Sequence, residues 1–240
     1  MEKNDHRSFY TQEATGYEAT RYGSPYGRLF RAAHLKTLDE VLEPAQQVLD
    51  VASGTGQLLP ALAKFGQQVV AIDLTPGMLE ESRKRHAHDS RITYAVGDAS
   101  RLPYPDHAFD IVASARFLHL FEPDRQAAFI AEMARVLRPG GLLVVDFYSS
   151  DARRLFWLPI ALYRYLARKR PENDYRVDLA FARKTLEDLG LRPVATRGLG
   201  NFLMLPLLWL PLRWQVGMAV WLGKRLPQLS EQFLMAARKP

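Results

Sequence analysis

The sequence contains no cysteine. This excludes disulfide bonds, cysteine-ligated zinc and iron–sulfur sites, and any mechanism that uses a thiol nucleophile. The start, MEKNDHRSFY, also lacks the apolar core of a signal peptide, so we expect a cytoplasmic protein. The composition of the 240-residue chain, 48% hydrophobic and 24% charged, is typical of a folded protein with a sizeable core.

Charge and tryptophan are distributed unevenly along the chain. Residues 1–150 contain 16 Lys and Arg against 19 Asp and Glu, a net charge of −3. Residues 151–240 contain 16 against 7, a net charge of +9, together with all four tryptophans: Trp157, Trp209, Trp214 and Trp221. The formal charge of +6 therefore describes a mildly acidic first part followed by a basic tail.

Apolar runs of strand length alternate with segments of helix length. The predicted strands are 46–52, 67–73, 92–98, 109–115 and 142–148, followed by 191–197 and 231–239, and the predicted helices lie near 25–43, 57–65, 77–87, 124–137 and 178–189. Because the first five strands are nearly continuous Val, Ile and Leu, we expect them to be buried on both faces in a parallel sheet covered by helices.

A small-residue turn follows the first predicted strand, from Ala52 to Gly56. Such a turn lets a ligand approach the backbone where a strand ends and a helix begins, although a tight turn alone is the simpler alternative. Leu59 stands where a dinucleotide fingerprint needs its third glycine, and no Gly-Lys-Ser/Thr follows, so neither that motif nor a P-loop is predicted. Asp50, just before the turn, suits a ligand with a cationic group.

Two further carboxylates come at the ends of predicted strands. Asp73 ends the second strand, where it could accept hydrogen bonds from both hydroxyls of a ribose. Asp98 ends the third strand, where it could bind an adenine edge. Either residue could instead cap the next helix, but three acids in register at three successive strand ends favour a nucleoside ligand.

Four runs then carry a family resemblance: VLDVASGTG, AIDLTPGML, GDASRLPYPDHAFDIV and SARFLHLFEPDRQAAFIAEMARVLRPGGLLVVDF. Over about residues 45–148 the chain resembles the class I S-adenosylmethionine-dependent methyltransferases, in particular the type 11 branch typical of ubiquinone and menaquinone biosynthesis. The resemblance implies an α/β fold with a Rossmann-like, seven-stranded, mostly parallel sheet and helices on both faces. It implies S-adenosylmethionine as methyl donor, S-adenosylhomocysteine as product, and a small acceptor.

The resemblance, together with the charge and apolar pattern of the tail, predicts a domain organisation. Residues 1–44 would form an N-terminal lid and helix, 45–150 the donor-binding core, and 151–240 a substrate or cap region that completes the sheet. Residues 199–228 would form an apolar helical insertion between the last two strands.

At the amino acid end of the donor, the resemblance places Gly54 and Gly56, with Asp50 and the backbone of Ala52 near the ammonium group. Ala52 stands where many members of the family have their first glycine. Alanine fits there if its φ angle is negative.

For the nucleoside end of the donor, the resemblance places Asp73 on the ribose, with Leu74 and Met78 packed on the ribose and adenine. Asp98 would bind the exocyclic amine of adenine, with the Ala99 amide beside it.

The methyl-transfer channel would be lined by Ser114 and Ala115 at the end of the fourth strand. His119, just beyond, is the candidate general base or substrate-orienting residue, and the alternative is a packed histidine that closes the cofactor pocket. Tyr17 and Tyr22 belong to an N-terminal segment that closes over the donor in related enzymes. Their alternative is packing at the edge of the domain.

The sequence disfavours nucleic acid as acceptor, because methylation at cytosine C5 needs a cysteine and SARF replaces the Asn/Asp-Pro-Pro-aromatic motif of base-amino methylation. We therefore expect a quinone-, phenol- or lipid-like acceptor. An RNA methyltransferase and a non-catalytic protein that binds the donor are the alternatives. No metal site is expected, since His86 and His88, two residues apart, do not share a helix face and are predicted to be solvated.

The tail contains a basic segment, 153–170, and an apolar segment, 201–226. A transmembrane span is disfavoured, because two prolines break the apolar segment and Arg213 lies within it. The segment is therefore either a cap over the substrate pocket or a dimer interface, or a contact with an anionic membrane surface at the inner face of the membrane. The membrane alternative uses three tryptophans and a basic group: Trp209, Trp214, Trp221, Arg164, Arg168, Lys169 and Arg170.

Overall fold

The computed structural model describes residues 10, 11, 13–155 and 174–240. Its strands are β1 (Ala45–Val51), β2 (Gly66–Asp73), β3 (Ile92–Val96), β4 (Phe109–Ser114), β5 (Leu137–Tyr148), β6 (Arg192–Asn201) and β7 (Ser230–Arg238). The helices are α1 (Tyr17–Tyr22), α2 (Pro25–Val41), α3 (Leu59–Phe65), α4 (Pro76–Arg85), α5 (Pro123–Val136), α6 (Ser150–Leu155), α7 (Leu179–Asp188) and α8 (Leu212–Arg225). Short 3-10 turns lie at Leu118–Leu120, Phe202–Leu207 and Pro227–Leu229.

The seven strands form one sheet in the order β3-β2-β1-β4-β5-β7-β6. β7 runs antiparallel to both of its neighbours, and the other pairs are parallel. The strand order reverses between β1 and β4, so a crevice forms at the carboxyl ends of these two strands. The predicted fold class, a seven-stranded, mostly parallel sheet with helices, is confirmed.

The apolar strand sequences follow from burial on both faces of the sheet. Val48 and Leu49 are successive residues of β1, and both are fully buried because neighbouring side chains point to opposite faces. One face carries a core that includes Ile130 of α5, and the other carries a core that includes Leu38 of α2 and Leu62 of α3. This two-sided core fixes the sheet, and with it the positions of the strand ends.

Helix boundaries mostly follow the local signals. The Ser24 hydroxyl accepts a hydrogen bond from the Gly27 amide at 3.0 Å, with Pro25 at the first position of α2. α5 ends at Val136, but β5 begins at Leu137, five residues earlier than predicted. The strand pairing shifts register between Phe109 and Ile111, which accommodates the Arg-Pro-Gly-Gly segment within the strand.

The tail completes the sheet through β6 and β7. β6 runs on to Asn201, beyond its predicted end, so residues 202–229 connect the two strands. Gly223 of α8 lies directly on the Gly198 backbone of β6, where a Cβ atom would collide with the carbonyl oxygen. Among the described residues, no helix combines the length and the apolar character needed to cross a membrane.

Most of the predicted basic segment falls outside the described residues. Only 153–155, at the end of α6, belong to the described part. Trp157, Arg164, Arg168, Lys169 and Arg170 all lie outside it.

Candidate active site

A cleft opens at the crevice where the strand order reverses. Of the ten residues predicted to contact the donor, with the channel residue Ser114 counted among them, seven line the cleft: Ala52, Gly54, Asp73, Leu74, Met78, Asp98 and Ala99. Ala115 also lines it, whereas Asp50, Gly56 and Ser114 are not among its lining residues.

In the turn after β1, every second residue has a positive φ angle. Ala52, Gly54 and Gly56 have φ angles of 55°, 56° and 80°. The condition under which alanine fits this position without strain, a negative φ angle, is therefore not met at Ala52. The Ser53 amide donates to the carbonyl of Ile72 at 3.1 Å, which ties the turn to β2 and holds alanine in a conformation that glycine adopts without strain.

Asp73 connects this turn to the end of β2. Its carboxylate accepts hydrogen bonds from the Gly54 amide and the Thr75 amide, both at 2.8 Å. Burial raises the pKa of Asp73, and these hydrogen bonds oppose that shift. Each carboxylate oxygen keeps capacity for a second hydrogen bond, so Asp73 can hold the turn and still accept hydroxyl donors from a ligand.

Asp50 lies buried beneath the turn. One oxygen accepts a hydrogen bond from the Ser53 hydroxyl at 2.7 Å, and the other has no partner among the described residues. Burial raises the pKa of Asp50 to about 7, and the negative charge of Asp73 adds to the shift. A cationic group nearby would stabilise the carboxylate form.

Gln57 was not predicted as a site residue. It is buried, it lines the cleft, and both its amide nitrogen and its amide oxygen lack partners among the described residues. An amide can both donate to a carboxylate and accept from an ammonium group. Together with the turn at Gly54 and the carboxylate of Asp73, these free groups fit S-adenosylmethionine, which carries an amino acid at one end and a nucleoside at the other.

The third carboxylate lies slightly beyond its predicted place. β3 ends at Val96, so Asp98 lies in the following loop rather than in the strand. Its side chain accepts a hydrogen bond from the Ser100 amide at 2.9 Å, and it lines the cleft beside Ala99. Met78, buried in α4, supplies an apolar wall.

The N-terminal segment forms another wall of the cleft. Tyr10, Tyr17 and Tyr22 line it. Glu18 of α1 accepts a hydrogen bond from the Thr55 hydroxyl at 2.7 Å and forms ion pairs with Arg85 and Arg31. Sequence analysis missed Glu18, because its partners lie 13 to 67 positions away and no local pattern marks them.

His119 lies beside the cleft rather than among its lining residues. It is buried, its ring stacks on that of Tyr148 at 4.0 Å between centroids, and its Nε2 atom is 3.8 Å from Asp174. Burial, with Arg116 and other cations nearby, lowers its pKa well below the usual value. A neutral, stacked ring favours the packed alternative, and the role of general base stays a prediction.

The prediction that His86 is solvated is wrong. His86 is buried against Gly56, where a Cβ atom would lie 3.0 Å from the imidazole. His88 is exposed as predicted. No group of three or more potential metal ligands occurs among the described residues.

Arg116, directly after the channel residue Ala115, is a further cleft residue that sequence analysis missed. The segment SARF contributes to the family resemblance and lacks the nucleic-acid motif, but neither observation gives a role to its arginine. The guanidinium of Arg116 lies over the rings of Tyr22 and Phe30, at 5.6 and 5.9 Å from their centroids.

The predicted cap does not close this cleft. None of the described side chains of residues 199–228 lines it, and α8 packs instead on β6 and α2. The cap interpretation is therefore wrong for this cleft, because the segment covers the far edge of the sheet.

Comparison with known proteins agrees with this geometry. Residues 49–145 match a family model described as a methyltransferase domain. The chain is 39% identical over 139 residues to a demethylmenaquinone methyltransferase of Beutenbergia cavernae, covering 58% of this chain and 53% of the relative. Residues 49–145 therefore form a class I methyltransferase domain. A demethylmenaquinone methyltransferase of Mycolicibacterium gilvum is 38% identical over 160 residues, or 65% of this chain and 66% of that protein.

Solved structures show the same methyltransferase fold. The magnesium protoporphyrin IX methyltransferase of Synechocystis, with bound S-adenosylhomocysteine, superposes with a TM-score of 0.67 at 18% identity, over all of both chains. A protein from Bacillus halodurans gives a TM-score of 0.61 at 25% identity, over 86% of this chain and 98% of that one. By contrast, the chain spans only about half the length of the demethylmenaquinone methyltransferases that it matches at 38–39% identity over 124 and 139 residues.

Proposed function

We propose that the chain transfers a methyl group from S-adenosylmethionine to a small, lipophilic acceptor. The observation that carries this proposal is the cleft at the strand-order reversal. There the ends of β1, β2 and β3 bring together the turn at Gly54 and the carboxylates of Asp73 and Asp98, which we assign to the ribose and the adenine. The names of the related demethylmenaquinone methyltransferases support a quinol-like acceptor.

The chain's own residues orient the donor and exclude water. S-adenosylmethionine supplies an electrophilic methyl group on a sulfonium, which needs alignment and desolvation more than a protein nucleophile. Gly54 and Gln57 hold the amino acid end, and Asp73 holds the ribose. Tyr22, whose buried hydroxyl has its pKa raised to about 12, stays neutral and closes the cleft as part of the N-terminal lid.

Donor binding is the direct test. We expect calorimetry to detect S-adenosylmethionine binding to the wild type, and Asp73→Asn to weaken it at least about tenfold, because one carboxylate contact to two hydroxyls is lost. Asp188→Asn, an exposed acid paired with Lys184, is the matched control and should bind as the wild type does. Absence of donor binding to the wild type would refute the proposal.

Turnover separates the enzyme from its alternatives. Donor binding without methyl transfer to any member of a quinol and phenol panel would favour the non-catalytic alternative. Methylation of RNA, with binding that falls steeply as salt rises, would favour the RNA methyltransferase.

We further propose that the protein is cytoplasmic and binds peripherally to an anionic membrane surface through α8 and the preceding turn. Trp209, Trp214 and Trp221 are 80%, 62% and 57% exposed, which is unusual for so large an apolar side chain. Trp214 and Trp221 are seven positions apart and share one helix face. Arg213 and the Lys224-Arg225 pair flank them, so apolar and cationic groups are presented together.

Co-sedimentation with vesicles tests this membrane proposal. We expect binding to vesicles that contain phosphatidylglycerol, weak binding to phosphatidylcholine alone, and loss of binding in Trp214→Ser/Trp221→Ser. Phe181→Ser, an exposed aromatic on α7, is the control. If the double variant instead converts a dimer to a monomer in light scattering, the tryptophans form a dimer interface and the membrane proposal is wrong.

A further inference from the structure

The guanidinium of Arg116 belongs to the half of the cleft that the predicted donor residues do not occupy. The predicted donor residues that line the cleft lie at the end of β2 or in the segments that follow β1, β2 and β3, whereas Ser114, at the end of β4, does not line it. Arg116 follows β4, and Asp146 of β5 lies beside it. In the sheet order β3-β2-β1-β4-β5, the β4 side is therefore left for the methyl acceptor.

The guanidinium forms no direct ion pair with a side chain of the described residues, although the nearby buried carboxylate of Asp146 attracts it. No described side chain accepts a hydrogen bond from the guanidinium or lies within ion-pair distance of it, and its Nε atom is buried without a partner. Asp146 is close, but one of its oxygens accepts a hydrogen bond from the Arg116 backbone amide at 2.7 Å, and the other has no hydrogen-bond partner in the part of the chain that the structure describes. Arginine stays charged when buried, so an unpaired guanidinium is costly unless a ligand pairs with it.

The backbone holds this cation in a fixed position. Arg116 has a φ angle of 56°, which residues with a side chain rarely adopt, and the buried Asp146 carboxylate fixes its amide. Such a conformation persists where the surrounding structure determines it, and it is often found at functional sites.

The neighbouring wall is aromatic. Phe117 and Phe121 line the same cleft, with ring centroids 5.1 Å apart. A cation beside an aromatic wall suits a ligand that has a flat ring and an oxyanion.

We propose that Arg116 binds the ionised hydroxyl of the methyl acceptor, so that the acceptor class is phenols, quinols or enols. This inference rests on the proposed function. The acceptor hydroxyl gives its proton to water, and the guanidinium donates hydrogen bonds to the resulting oxyanion. An electron pair on this oxygen forms the bond to the methyl carbon while the carbon–sulfur bond breaks and its pair remains on sulfur. If a conjugated ring carbon attacks instead, that carbon then loses its proton to water and the oxygen regains one.

The experiment measures ionisation of a chromogenic probe, 4-nitrophenol, bound to protein without donor. At a pH one unit below the pKa of the free probe, we expect the wild type to raise the ratio of ionised to neutral bound probe at least about tenfold, seen as visible phenolate absorbance. Arg116→Met should abolish this increase, and Arg116→Lys should keep most of it. Arg83→Met is the matched control. Arg83 also lies over an aromatic ring, that of Tyr94, but its side chain is exposed on the surface of α4.

Two results would overturn the inference. One is an unshifted probe on the wild type, or an equal shift on the wild type and on Arg116→Met. The other is a loss of S-adenosylhomocysteine affinity of more than about tenfold in a folded Arg116→Lys or Arg116→Met, which would assign the guanidinium to the donor carboxylate. Thermal unfolding of each variant identifies loss of folding, and Arg116→Lys keeps the charge if Arg116→Met does not fold. Failure of the wild type to bind the donor would instead refute the proposed function, independently of the probe.

Discussion

At the scale of single residues, Ala52 occupies a backbone conformation that costs alanine more than glycine. Its φ angle is 55°. We expect Ala52→Gly to raise the free energy of unfolding by about 1 kcal/mol, because relief of the left-handed strain exceeds the added entropy of the unfolded chain. Urea denaturation measures the change.

The matched control is Ala128→Gly, at an exposed position inside α5. There the same substitution should lower the free energy of unfolding by about 0.5–1 kcal/mol. Equal destabilisation at both positions would contradict the assigned strain at Ala52.

Asp50 should make the stability of the fold depend on pH. Its pKa in the folded protein is about 7, against about 3.9 in an unfolded chain, so the folded state holds the proton between these values. The contribution of Asp50 to stability is therefore greatest below about pH 4, and it is lost as the pH rises from there through 7. We expect the free energy of unfolding of Asp50→Asn, relative to that of the wild type, to increase by about 2–3 kcal/mol as the pH is raised from 5 to 8. A difference in unfolding free energy that does not change with pH would exclude a raised pKa at Asp50.

At the scale of elements, Glu18 holds α1 against the turn and α4. It accepts a hydrogen bond from Thr55 and pairs with Arg85 and Arg31. We expect Glu18→Ala to speed hydrogen exchange at the amides of 17–22 at least about fivefold, since local opening of this segment no longer breaks these contacts. Donor affinity should weaken with it.

Glu187→Ala is the control for this clamp, because Glu187 makes one long, exposed ion pair with Arg183. Its effect should be confined to α7. Unchanged exchange in α1 of Glu18→Ala would show that tertiary packing, rather than Glu18, holds the segment.

The elements themselves were largely predictable from sequence. Strands such as β1 and β4 are buried on both faces, so their Val, Ile and Leu runs mark them directly. The start of β5 was missed because Pro139 and the glycines after it normally end a structure, whereas here the sheet absorbs them at a register shift. The local sequence pattern predicts the strand, whereas its pairing with the neighbouring strand determines where it begins and ends.

The site was only partly predictable. Carboxylates at strand ends, such as Asp73, are visible because chain position and chemistry coincide. Glu18, Gln57 and Arg116 were missed because their importance depends on burial and on partners that are distant in sequence. The burial of His86 against Gly56 likewise arises from the packing of α4 on the turn, which helix periodicity does not reveal.

At the scale of the whole molecule, the division of charge predicts a salt-dependent contact with anionic surfaces. The mildly acidic first part repels such a surface, and the basic tail attracts it. Each cation near an anionic bilayer contributes about 1 kcal/mol, so we expect Arg213→Gln/Lys224→Gln/Arg225→Gln to weaken vesicle binding about 100-fold at low salt. The control, Arg83→Gln/Lys84→Gln/Arg91→Gln, removes the same charge from exposed positions outside the tail and should change binding little. Because raised salt screens the charges but not the tryptophans, the wild type should approach the triple variant as salt increases. Equal weakening by the two triple variants would mean that net charge, rather than α8, determines the contact.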